Sequence, residues 1–331
     1  MKKLLIVTLI ILPLALIAAG IELYPPVDNP RVTSTFGEFR PLGNRGPHFH
    51  MGVDFSTDRR QGVDIKAAAD GWLVRIVIDE DDIYGYTVVL QHEGGYRSLY
   101  AHLSDFSPKL KEIVEDVKKT FKGKRITIEF NEGDVFFHKG DVIGKSGSTG
   151  EALKPHCHFE VRDTLEEKSY DPMALFKEGV VPRPPDEKII MQYLTINGST
   201  VEYVEGAEYR FRGDHPDLEI LAYSIGNGNR LGLKEIRMYL NGEILYDISF
   251  ESIPWNEFNN ITPVYDKERS RMSVEEYTAW YILYPKGYAS PVKINNYPKV
   301  KRFPSKSEIK IELYDAWGMK KTVYFYLRRV R

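Results

Sequence analysis

Residues 155–160 read Pro-His-Cys-His-Phe-Glu, a β-type run that carries two imidazoles two residues apart. Side chains at i and i+2 of a strand leave by the same face, so a strand here puts His156 and His158 on one side and turns Cys157 to the other. The segment therefore demands a sheet with one ligand-bearing face. Histidine is the commonest zinc ligand, and with a carboxylate it completes the three-ligand set of a catalytic zinc, which leaves a fourth position for water. His50-x-x-x-Asp54 and Tyr100-Ala101-His102 lie upstream and supply further groups of the right kind. The pattern points to a metallohydrolase.

A chain of 331 residues is long enough for about two domains. Its formal net charge of -2 gives no basic footprint, so nucleic acid is not an expected partner. Lys2-Lys3, the apolar run from Leu4 to Ile17 and Ala18-Ala19-Gly20 have the order of a secretory signal peptide over residues 1–20. The rival is a retained anchor, since the apolar character extends almost to Leu23 and approaches the length a bilayer needs. Export with cleavage is the reading adopted, to the periplasm or the outside of the cell envelope, with membrane contact only if the segment is kept. Cys157 is the single cysteine, so an exported chain has no internal disulfide and depends on burial for stability.

Val-Pro-Arg-Pro-Pro-Asp at 181–186 suits neither a helix nor a central strand and marks a linker, set at 181–187. It separates a first domain, 21–180, from a second, 188–331. Seven of the eight histidines precede it, so the chemistry belongs to the first domain. Runs at 72–78, 86–90 and 96–100, rich in β-branched and aromatic residues, read as strands between turns. Leu110, Ile113, Val114, Val117 and Phe121 recur at helical spacing behind Ser107 and Pro108, which predicts one amphipathic helix within an insertion at about 107–128. The second domain shows strand patterns at 191–196, 219–224 and 236–240, an Asn241-Gly242 hairpin signal, and a closing pair at 309–313 and 322–327 around Asp315-Ala-Trp-Gly318. The expected fold is mainly β, with a β-sandwich at the C-terminus whose last hairpin loosely resembles an immunoglobulin-like domain.

The ordered motifs Phe36-Gly37-x-x-Arg40, His50-Met-Gly-Val-Asp54, Ala68-Ala-Asp-Gly71, Tyr100-Ala-His-Leu-Ser104, Lys139-Gly-Asp-Val-Ile-Gly144, Gly147-Ser-Thr-Gly150 and Pro155-His-Cys-His-Phe-Glu-Val-Arg162 resemble those of lysostaphin-type (LytM-like) zinc peptidases over about residues 30–176. The resemblance implies an antiparallel-sheet peptidase domain (the duplicated hybrid motif), one Zn2+ held by His50, Asp54 and His158, and His102 and His156 as the two catalytic histidines. It also implies peptides of bacterial peptidoglycan as substrate, cleaved by endopeptidase action. In such a site one histidine handles the proton and the other holds the oxyanion or substrate carbonyl. We assign these roles to His102 and His156 in that order, with the reverse left open.

For His48, His92, His138 and His215 a structural or surface role is expected. Cys157 points away from the paired imidazoles and reads as a core residue. Glu160 shares their face and is a candidate to orient a ligand, while Arg40 suits substrate contact and an ion pair equally. The inserted helix follows closely after His102, which suggests a wall for the groove. The alternative function is a catalytically latent scaffold or activator of other cell-wall hydrolases. The C-terminal domain is a candidate docking surface for an envelope protein, or a cover for the groove.

Overall fold

The computed structural model describes residues 21–41, 45–79, 82–121, 125–273 and 276–330. The expected signal segment, residues 1–20, lies outside them. Among the described residues no helix is long and apolar enough to cross a membrane.

The first half is built on one antiparallel sheet. Its strands follow the spatial order Val32–Ser34, Val53–Ser56, His156–Asp163, Tyr96–Phe106, Tyr86–His92, Gly71–Asp79 and Phe136–Phe137. The strands expected at 72–78, 86–90 and 96–100 are all present, the last extended to Phe106. Alternation decides what each strand buries: Cys157, Phe159 and Val161 enter a core with Phe55, Leu73, Ile76, Leu90 and Tyr100, all almost fully buried. At roughly 1.5–3 kcal/mol for each large side chain, this face is the main source of stability in a half with no disulfide.

One α-helix, Pro108–Thr120, occurs among the described residues, as the spacing predicts. Three details differ from expectation. Ser107 occupies the N-cap position without a side-chain cap bond, and its carbonyl instead accepts the amides of Leu110 and Lys111. Residues 125–128, placed in the insertion, belong to strand Arg125–Glu129, which pairs with Gly71–Asp79 because Ile126 and Ile128 alternate toward the core. Nor does the helix wall the groove: Leu110 and Val114 seat it on the core beneath the sheet, and no residue of 107–121 lines the groove.

Among the described residues the second half has two large sheets and a small pair, Arg271–Met272 with Tyr277–Thr278. Lys188–Ile196 and Leu218–Gly226 form the centre of one, and Lys306–Tyr314, Lys320–Arg329, Glu235–Leu240 and Glu243–Ser249 form most of the other. Ile220, Leu194, Ile236, Ile311 and Phe325 from both sheets share one core. The Asn241-Gly242 hairpin forms with both residues at positive φ, 50° and 89°, the geometry of a two-residue primed turn. Glu208–Phe211 runs parallel to the final strand, so the second sheet is not purely antiparallel.

The compositional boundary is crossed in both directions. Ser252–Pro254 pairs with Lys168–Tyr170 and so extends the first sheet. Conversely Phe36, Phe39, Phe49 and Met51 are buried in the second core, beside Phe250 and Tyr265. The linker stretch is tied down as well: Arg183 pairs with Glu187 and donates to the Trp317 carbonyl.

Candidate metal centre

Register brings the three candidate ligands together. His158 lies directly opposite Asp54 in the sheet, and His50 stands in the connection between His48–Phe49 and Val53–Ser56, four residues before Asp54. Gly52 makes this approach feasible, since a Cβ there would come within 2.4 Å of the Phe159 carbonyl oxygen and 3.0 Å of the His158 ring. Asp54 Oδ1 is 3.1 Å from His50 Nε2 and 2.9 Å from His158 Nδ1, and those two nitrogens are 2.9 Å apart. Each of the three residues offers one ligand atom to a common point, and all three are buried.

The outer nitrogens fix the tautomers. His50 Nδ1 donates to the Thr35 carbonyl at 2.8 Å, and His158 Nε2 is bonded to Glu160 Oε1 at 2.9 Å. In the neutral rings the lone pairs therefore face each other and the Asp54 carboxylate across the centre. Three electron-rich atoms within hydrogen-bond distance repel unless a cation lies between them, and this is the fit to a divalent metal. Burial works against charge on His158, but its bonds to Asp54 and Glu160 win and push its pKa up to about 9. Without a metal, a proton supplies the missing positive charge. Burial raises the Asp54 carboxyl, yet His50 and His156 overcome that and hold it well below the usual range.

His102 owes its position to a bulge. Between the pairs Tyr100 with Val88 and Leu103 with Tyr86 the strand has one extra residue, and His102 has φ 59°, a left-handed value within a strand. Such a conformation costs roughly 1–3 kcal/mol and re-aims the side chain. The ring centroid lies 4.7 Å from that of His156 and 5.7 Å from that of His158. His102 Nδ1 donates to the Thr149 carbonyl at 2.9 Å and His156 Nδ1 to the Lys154 carbonyl at 2.8 Å, which turns both Nε2 atoms to the groove. Burial, then the neighbouring His156 and His158, push the His102 pKa well below 6.5, so this ring is neutral and able to accept a proton.

All five candidate residues, His50, Asp54, His102, His156 and His158, line one groove of about 1610 Å³. Arg40 makes ion pairs with Glu38 at 3.0 Å and Asp54 at 3.5 Å, and it also lines the groove. Glu160 takes the orienting place and is itself gripped by Arg162 at 2.7 Å. His92 is held between the Asp70 carbonyl and the Ser98 hydroxyl, His138 is exposed, and His215 contacts the Val300 carbonyl, all remote from the centre. His48, expected in a structural or surface role, lines the groove and stacks on Phe258 with centroids 4.5 Å apart. Tyr84 also lines the groove and carries no motif of its own in the sequence. Its ring stands 5.6 Å from that of His158, and only the fold brings its short connecting loop to the groove.

Residues 48–126 match the sequence profile of Peptidase family M23. The chain carries a peptidase M23 domain. The M23 region is similar to the DD-carboxypeptidase/endopeptidase Mpg of Neisseria meningitidis serogroup B, 33% identical over 138 residues, which are 41% of this chain and 25% of that protein. It is also similar to lysostaphin of Staphylococcus simulans, 28% identical over 141 residues, 42% of this chain and 23% of that one. The chain thus spans about a quarter of the length of these curated relatives. Among solved structures, the lysostaphin catalytic domain from Staphylococcus simulans aligns over 44% of this chain and 91% of its own, with 26% identity and a TM-score of 0.31. A zinc containing peptidase from Vibrio cholerae aligns over 48% and 40%, with 23% identity and a TM-score of 0.33.

Proposed function

We propose that this chain is an exported zinc-dependent endopeptidase that hydrolyses peptide bonds of bacterial peptidoglycan. The observation that carries the reading is the convergence of His50, Asp54 and His158 on one point, with the Nε2 atoms of His102 and His156 turned toward the same groove. Zinc bound by two imidazoles and a carboxylate supplies Lewis acidity that activates water near neutral pH and polarises a carbonyl.

The chain's own residues supply the rest. Neutral His102 accepts a proton from water entering the groove and passes it to the leaving amine. His156, whose side chain is 20% exposed and whose Nε2 lies 3.5 Å from Asp54 Oδ1, is placed to hold the substrate carbonyl. Glu160 and the Thr35 carbonyl keep the ligand rings in the orientation that a metal needs. Peptidoglycan as substrate draws support from relatives named DD-carboxypeptidase/endopeptidase and glycyl-glycine endopeptidase. Export draws support from the basic, apolar and small-residue order of residues 1–20.

The test is metal analysis of the purified full chain together with incubation on purified peptidoglycan. About one zinc per chain is expected, with chelator-sensitive release of new amine termini and the bond identified by mass spectrometry of defined muropeptides. Protein that holds zinc but cleaves no muropeptide would favour the latent scaffold instead.

A further inference from the structure

The stretch 35–40 touches the metal centre at two points. The Thr35 carbonyl accepts the Nδ1–H of His50 at 2.8 Å, and Arg40 reaches Asp54 Oδ2 at 3.5 Å. Between them lies Glu38, only 2% exposed. Glu38 Oε1 accepts the amide and hydroxyl of Thr35 at 2.7 and 2.9 Å, and its Oε2 accepts Arg40 at 3.0 Å. The carboxylate offsets the guanidinium charge, so Arg40 can hold Asp54 without placing an uncompensated cation beside a cation site.

The other side of this stretch is held by residues roughly two hundred positions later in the chain. Gly232 N donates to Glu38 Oε1 at 2.8 Å. The Tyr265 hydroxyl donates to the Gly37 carbonyl at 2.8 Å, and the Phe39 amide donates to the Tyr277 hydroxyl at 3.3 Å. Phe39 within the stretch and Phe49 beside His50 pack on the Tyr265 ring with centroids 5.7 and 6.0 Å away. Gly232 leaves no slack, because a Cβ there would stand 2.6 Å from Glu38 Cγ and 3.3 Å from the Thr35 hydroxyl. Asn229, Met272 and Tyr277 of the same half line the groove that holds the five site residues.

We propose that the C-terminal β domain is a built part of the metal centre, with Gly232, Tyr265 and Tyr277 as positioning residues that fix His50 and Asp54 through Thr35, Glu38 and Arg40. The proposal rests on the reading of His50, Asp54 and His158 as zinc ligands. It replaces a separable accessory domain with one whose core and hydrogen bonds set the affinity of the site.

The experiment measures zinc affinity of the full chain by chelator competition, with the thermal midpoint of the metal-free protein read in parallel. Gly232→Ala and the double variant Tyr265→Phe/Tyr277→Phe are expected to bind zinc about tenfold more weakly than wild type, the scale of lost outer-shell support. Ile309→Val lies in the same core but away from the stretch, and should lower the midpoint while zinc affinity stays at the wild-type value. Junction variants with wild-type affinity would overturn the proposal, as would an equal loss in Ile309→Val. Wild-type protein that takes up no zinc would instead remove the metal reading on which the proposal stands.

Discussion

Glu160 Oε1 lies 2.9 Å from Nε2 of His158, so the only nitrogen of that ring free to face the centre is Nδ1. Burial opposes charge on Glu160, but Arg162 and His158 hold its pKa down to about 2, and it stays an acceptor at every working pH. Glu160→Gln keeps an acceptor and loses the charge, so zinc affinity should fall about tenfold in a chelator titration. Glu160→Ala should lower the unfolding free energy by about 3 kcal/mol, because Arg162 is left buried with Glu166 as its remaining ion-pair partner, beside the Tyr84 and Trp255 rings.

His158, a candidate ligand, and His102, the proton-handling candidate, should separate by readout. His158→Ala is expected to empty the metal site in elemental analysis. His102→Ala should retain about one zinc and lose turnover by about 10²–10⁴-fold, the ordinary worth of a proton-handling group. Metal loss in His102→Ala would move that residue into the ligand set.

Leu110→Ala should destabilise the fold by about 2–5 kcal/mol through a cavity under the helix. Zinc affinity should not change, since the helix sits on the core and not at the groove. Denaturant unfolding alongside metal titration separates the two effects.

Cys157 is fully buried, and burial pushes its thiol pKa up. A thiol-specific reagent should therefore modify no cysteine in native protein and about one per chain after unfolding. Rapid labelling of the native chain would show that the strand opens.

Asp315 makes stability depend on pH. Its Oδ1 accepts the amides of Trp317 and Met319 within a closed turn, and burial followed by the facing Glu187 pushes its pKa up to about 7. The native state then holds a proton between about pH 4 and 7 that the unfolded chain releases, so stability is greatest at the acid end of this window and falls as pH rises through it. Asp315→Asn keeps the turn acceptor and removes the titration. Between pH 5 and 8 the variant should lose about 2 kcal/mol less than wild type, visible in thermal midpoints at the two pH values.

The shared face of His156 and His158 was legible because a strand's period of two is strict: His156-Cys157-His158 could divide only one way between face and core, whereas the grouping of His158 with His50 and Asp54 came from the family resemblance. The helix was legible from its spacing, and its cap was not, because a serine at the right position need not turn its hydroxyl inward. The extra residue at His102 left no trace in composition, since a bulge depends on partners across the sheet. Least visible was the grip of Gly232, Tyr265 and Tyr277 on residues 35–40. Contacts between positions so far apart carry no local periodicity, and a proline-rich stretch at 181–187 reads as a boundary whether or not the surfaces beyond it meet.

Ser252–Pro254 completes the edge of a sheet whose other strands come from the first half of the chain. Cutting the backbone within 181–187 would therefore not part the molecule: the fragments would remain clasped through paired strands and the buried aromatic contacts of Phe39 and Phe49. Retargeting by exchange of modules is closed off for the same reason. A transplanted catalytic half would arrive with a torn sheet edge and bare phenylalanines, and would need its own stitching before it could hold a metal.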